Sequence, residues 1–175
     1  MQATKLLEKQ HRKVKAIFKK LERGSGNAAE LVHELANDLA AHMTIEQEIF
    51  YPAIQSVDRD LISEAFEEHA LAELSLKRLL ATDPDAEEFK ARVVALKELI
   101  EHHVEEEEEE LFPKAEKALG DDRLSKIGAQ MKKRFDEVVD DGYESAVPRG
   151  FARTSADSSR KVMQKAAAQQ KRKAA

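Results

Sequence analysis

One motif occurs twice in this 175-residue chain, at a constant offset of 61 residues. The first copy is His42-Met43-Thr44-Ile45-Glu46, followed by Gln47-Glu48-Ile49 and Phe50-Tyr51-Pro52. The second is His103-Val104-Glu105-Glu106-Glu107, followed by Glu108-Glu109-Glu110 and Leu111-Phe112-Pro113. Residues four apart on a helix share a face, with about 5–6 Å between their Cβ atoms. Each copy therefore aims one imidazole and one carboxylate in the same direction. That pair is a half-site for a transition metal accepting mixed nitrogen and oxygen ligands. Two half-sites in one chain point to a metal centre between helices.

The hydrophobic spacing around the motif is helical throughout. Leu7, His11, Val14, Phe18 and Leu21 predict a helix over 2–23. Gly24-Ser25-Gly26 ends it, and Asn27 is placed to cap the next. That second helix is expected over 28–56, with Leu31, Leu35, Leu39, His42, Glu46 and Ile49 inward. Pro52 should kink or end it. A third helix is expected over 59–81, with Ile62, Phe66, His69, Glu73, Leu76 and Leu80 on one face. Thr82-Asp83-Pro84-Asp85 is a break. A fourth is expected over 86–119, kinked near Pro113, with Gly120 as its C-terminal cap. A short fifth helix should span 122–139. The expected fold is all-α: an up-down-up-down four-helix bundle over residues 1–140 with the fifth helix attached. Residues 141–175 read as a linker and a basic, disordered tail with almost nothing to bury.

Every inward stripe is apolar except where histidine interrupts it. His11 interrupts the first, His42 with Glu46 the second, His69 with Glu73 the third, and His103 with Glu107 the fourth. A single core histidine is usually a hydrogen-bonded packing residue. Four histidines, three of them followed by Glu at i+4, are hard to explain as packing, because an unpaired buried carboxylate costs several kcal/mol. A cation compensates carboxylates and uses neutral imidazoles. The stripe and the repeat both select His103 over His102, which aligns with a charged face. Of the run from Glu105 to Glu110, Glu107 points inward, with Glu110 at the edge of that face. Four histidines and two bridging-capable carboxylates suit two metals. Imidazole and carboxylate without thiolate favour iron, with manganese as the alternative.

Composition narrows the setting. Cysteine is absent, which excludes disulfides, thiolate ligands and iron–sulfur clusters. No apolar run approaches membrane-spanning length, and the charged N-terminus does not read as a signal peptide, so a soluble cytoplasmic protein is expected. The net charge of -5 divides unevenly. From Arg149 onward there are eight Lys/Arg against Asp157 alone, while the preceding residues carry a net -12.

The set His11, His42-x-x-x-Glu46, His69 and His103-x-x-x-Glu107, with its two trailing aromatic-proline segments, resembles the hemerythrin-like, or HHE cation-binding, domain over about residues 1–120. The resemblance implies a four-helix bundle holding two non-haem iron ions. By that likeness each iron takes two histidines, Glu46 and Glu107 bridge the pair, and an oxo, hydroxo or water ligand completes the site. Oxygen carriers of the family have His-x-x-x-His on the third helix, where this chain has His69-x-x-x-Glu73. The four-His, two-Glu set looks more like the family's iron-centre repair and iron-sensing members. Glu73 is either a further terminal ligand or an acceptor for an imidazole N–H, and Tyr51 reads as interface packing.

These readings lead to a di-iron protein that binds, senses or reacts with O2, peroxide or NO, in oxidative or nitrosative stress or iron homeostasis. The alternative is a non-enzymatic iron sensor or store, or an adaptor acting through the basic tail. Contact of that tail with nucleic acid or an acidic partner is the less favoured use of it, a solubilising role the more favoured. No Ser/His/Asp or phosphate-cradling motif competes for a catalytic role.

Overall fold

The structure, a computed structural model, describes residues 1–147 and 154–173, and among them it is helical with no strand. Helix α1 spans Ala3–Glu22 and buries Leu7, His11, Val14, Phe18 and Leu21, as the spacing predicts. Asn27 caps α2, Ala28–Ile45, by accepting from the backbone N–H of Ala29 and Glu30. Asp58 caps α4, Arg59–Leu80, by accepting from Leu61 N–H. Such caps satisfy donors that have no partner inside the helix.

Pro52 and Pro113 are each preceded by a widened helical turn. Helix α2 neither ends nor breaks at Pro52; it widens beforehand into a single π-turn, Glu46–Phe50, and resumes as α3, Tyr51–Ile54. The same happens after α5, Phe89–Glu106, where a π-turn over Glu107–Leu111 leads into α6, Phe112–Asp141. Proline has no N–H and its ring crowds the carbonyl one turn back. Widening the preceding turn accommodates both effects: Tyr51 N–H bonds to Glu46 O, and Phe112 N–H to Glu107 O, five residues back. Gly120, at φ 69°, divides α6 where the sequence places a cap.

Helix α1 packs on α2, α5 and α6, and α4 packs on α2 and α5, forming the bundle. Its interior is two apolar bodies. One gathers Phe18, Leu35, Leu39, Leu76 and Leu96. The other gathers Leu7, Phe50, Tyr51, Phe66, Leu111 and Phe112. Along each helix the buried histidine falls between residues of the first body and residues of the second: His11 between Leu7 and Val14, His69 between Phe66 and Ala72. The histidines thus form a polar layer across the core.

The disordered-tail expectation is corrected for the described residues. Ser155–Lys173 is a helix, α7, packed on α4. Ala156 is buried and Met163 packs against the second apolar body, while Arg160 pairs with Glu67 on α4. Residues 148–153 of the expected linker, and 174–175 at the end of the tail, lie outside the described residues. Among the described residues no helix is long and apolar enough to cross a membrane.

Candidate metal centre

Six of the seven residues singled out from the sequence meet in the polar layer. The Nε2 atoms of His11 and His42 approach to 3.2 Å, and those of His69 and His103 to 3.0 Å. The carboxylates join the two pairs. Glu46 Oε2 lies 3.2 Å from His42 Nε2 and 3.3 Å from His69 Nε2. Glu107 Oε2 lies 3.4 Å from His11 Nε2 and 3.6 Å from His103 Nε2. Each carboxylate therefore touches one imidazole of each pair. These spacings are those between ligands that share an ion: metal–ligand bonds of about 2.0–2.2 Å put tetrahedral neighbours about 3.4 Å apart.

The outer nitrogens are held as well. Nδ1 of His11 meets Glu108 Oε1 at 2.8 Å, and Nδ1 of His103 meets Glu68 Oε2 at 2.7 Å. Nδ1 of His42 meets Gln10 Oε1 at 2.9 Å, and Nδ1 of His69 meets the Gln47 amide at 3.0 Å. At His11, His42 and His103 the partner is an oxygen, so a proton held on Nδ1 leaves the Nε2 lone pair facing the cluster, the tautomer a metal requires; at His69 the partner is Gln47 Nε2, whose N–H donates to Nδ1. The four supports obey one rule. The residue before each lone histidine, Gln10 or Glu68, supports the motif histidine. The residue after each motif glutamate, Gln47 or Glu108, supports the lone histidine. The duplication thus extends one residue beyond the ligand motif, a signal present in the sequence. Glu108, which the helical spacing does not place on the inward face, is nonetheless held against His11.

Tyr51 breaks the symmetry. Its equivalent in the second copy is Phe112, which stacks on His11. The Tyr51 hydroxyl donates to Glu107 Oε1 at 3.0 Å and lies 3.4 Å from His69 Nε2. It is part of the cluster, not only packing, so the two histidine pairs are chemically unequal.

Glu73 departs from its expected place. It is buried, but Oε1 pairs with Lys77 Nζ at 2.7 Å, and Oε2 accepts from Ser155 N–H at 2.9 Å and Ser155 Oγ–H at 2.6 Å. It thus anchors the start of α7 and does not join the imidazoles. The imidazole N–H acceptors are instead Gln10, Glu68 and Glu108.

The donor set fits a metal. Both oxygens of Glu46 and Oε2 of Glu107 are buried without a hydrogen-bond donor. Burial pushes the Glu46 carboxyl well above its ordinary value, and the charge of Glu107 adds to this. At Glu107 burial acts upward too, but His103 and His11 outweigh it and hold the carboxyl low. Burial, reinforced by His11 and His103 respectively, drives His42 and His69 well below the usual imidazole range. At His11 burial acts downward, but the neighbouring carboxylates of Glu107 and Glu108 prevail and raise it. Two buried carboxylates beside two imidazoles held below their usual range are poorly compensated alone, and a multivalent cation would supply the missing charge.

On the apolar side of the four histidines is a cavity of about 10 Å³, walled by Val14, Leu39, Met43, Ile100 and Val104. That is room for about one water-sized molecule.

The family model for the Hemerythrin HHE cation binding domain matches residues 2–115. The chain is 28% identical over 125 residues to a protein of Nostoc sp. strain PCC 7120 named DNA nickase, covering 70% of this chain and 36% of that protein. The chain thus spans about a third of that relative's length. It is 25% identical over 142 residues to the uncharacterised Mycobacterium tuberculosis protein Rv2633c, covering 79% and 88% of the two chains. The crystal structure of an HHE cation-binding domain protein of Mycobacterium kansasii, a homologue of Rv2633c, superposes with a TM-score of 0.74 at 25% identity, covering 91% of this chain and 99% of that one.

Proposed function

The chain belongs to the hemerythrin HHE cation-binding domain family, and we propose that it is a non-haem di-iron protein that binds or reacts with O2, peroxide or NO. The observation that supports this most directly is the pairing of each carboxylate with one imidazole from each histidine pair. His11 and His42 would hold one ion, His69 and His103 the other, with Glu46 and Glu107 shared between them. When bound, the ions supply redox electrons and an open position for a small ligand.

The chain's own residues set the conditions for that ligand. The cavity has room for about one water-sized molecule, a size that suits a small ligand of this kind and not a bulky organic substrate. Its aliphatic walls keep bulk water from the histidine layer. Tyr51 holds a proton at Glu107 Oε1, beside the His69 pair only, so proton donation is confined to one half of the centre.

Metal analysis with an anaerobic-to-aerobic absorption spectrum tests this reading. Two irons per chain are expected, with near-ultraviolet bands appearing or shifting on exposure to air. Spectral silence that persists after anaerobic reconstitution with ferrous iron would overturn it.

A sensing role is favoured by one further observation. Glu73, one helical turn from His69, anchors α7. Occupancy at His69 would then be read out by the hold on α7. Amide exchange over residues 155–173 should slow when metal is added, and equal exchange would remove the sensor reading.

A further inference from the structure

His102 stands beside His103 on the charged face of its helix, and it begins its own His-x-x-x-Glu pair with Glu106. Glu68 on α4 completes a second cluster with them. His102 Nε2 lies 3.5 Å from Glu68 Oε1 and 3.6 Å from Glu106 Oε1. The three donor atoms lie within 4.8 Å of one another. The spacings again suit a shared ion, since ligands about 2.0–2.2 Å from a metal sit about 3.4 Å apart in a tetrahedron. The imidazole selects a transition metal over calcium or magnesium.

The position of this cluster is informative. The His102 side chain is 64% exposed, so the cluster opens to solvent. The second oxygen of Glu68 is bonded to Nδ1 of the buried His103. A cleft of about 10 Å³ beside this cluster is lined by Glu68 and Glu106 together with His103 and Glu107, and by the apolar Leu61, Ala65 and Leu111. Of these lining residues, Glu107 is buried and its Oε2 lacks a hydrogen-bond donor. Carboxylates thus lead from the surface to the centre.

We propose that His102, Glu68 and Glu106 form an outer site for a divalent first-row transition-metal ion, and that this site takes up ferrous iron and passes it along the cleft to His103 and Glu107. The outer site stands on its own geometry. Its role in loading rests on the dinuclear reading.

The test uses full-length, metal-free protein titrated with Mn²⁺ alone, with unbound ion followed by electron paramagnetic resonance. Wild type should bind one more Mn²⁺ per chain than His102→Ala or Glu106→Gln. In stopped-flow loading with ferrous iron, His102→Ala should fill the inner centre at least tenfold more slowly while reaching the same final inner-site iron content. Equal Mn²⁺ binding by wild type and both variants overturns the outer site. An extra Mn²⁺ with unchanged ferrous loading keeps the site and overturns its loading role. If wild type binds only the ion that His102→Ala removes, the outer site stands and the dinuclear reading falls.

Discussion

At the scale of single residues, the centre is a set of groups that oppose one another without a cation. Glu46 is the most exposed to this conflict: it is fully buried, lacks a donor at either oxygen, and lies beside a second carboxylate. Its folded carboxyl is raised above its ordinary value of 4.5, so the metal-free fold holds a proton there that the unfolded chain releases. The associated stability is present at low pH and is lost as pH rises through the raised value. His42 and His69 act in the opposite sense, because their folded values are depressed and stability falls as pH drops below 6.5. Those two contributions are common to wild type and a Glu46→Gln variant, so comparing the proteins isolates Glu46. Metal-free Glu46→Gln should be more stable than metal-free wild type at pH 7, with the difference shrinking toward pH 4. With metal present the order should reverse. Urea melts across this pH range check both signs; a metal-free variant less stable at pH 7 would show that Glu46 is already compensated by protein groups.

At the scale of elements, the π-turns and α7 matter most. Each π-turn begins at a shared glutamate and ends two residues before a proline, so the backbone that presents the carboxylate is the one the proline has widened. The extra residue in the turn also swings its neighbour inward. Glu108 therefore reaches His11, while Glu110 remains exposed beside Lys114. Helix α7 depends on Glu73. A Glu73→Ala change would leave the Ser155 donors without their acceptor, at a cost of about 1–3 kcal/mol. Proteolysis within residues 155–173 should accelerate while metal stoichiometry stays at the wild-type value. Loss of metal in this variant would mean that Glu73 supports the centre after all.

At the scale of the whole molecule, the histidine layer divides one core into two apolar bodies that share their helices. Ions held in that layer would tie α1, α2, α4 and α5 together, since each helix contributes one histidine. Ligand binding to the folded state alone adds about 4 kcal/mol when the ligand is at a thousand times its Kd. A chain of this size shifts about 2–4 °C per kcal/mol. Chelation should therefore lower the melting temperature by roughly 10 °C, as read by calorimetry. Equal melting with and without chelator would remove the metal from the core. Helix α7 brings one residue of the basic segment, Arg160, against Glu67 on the acidic bundle.

The helical period, the Asn27 cap and the repeated His-x-x-x-Glu determined the bundle and the six residues that meet in its polar layer, because a one-dimensional spacing fixes which face of a helix a residue occupies. Tertiary structure alone decided the rest. Glu73 lies on the inward stripe of α4, yet α7 docks at that point and takes its carboxylate. Tyr51 precedes a proline that was expected to divert the helix, and the π-turn instead carries its hydroxyl to Glu107. Glu68 and Glu108 are two acids among 34, and only the approach of neighbouring helices turns them toward Nδ1. Which side chain meets which across the bundle depends on distances between helices, and those arise from packing.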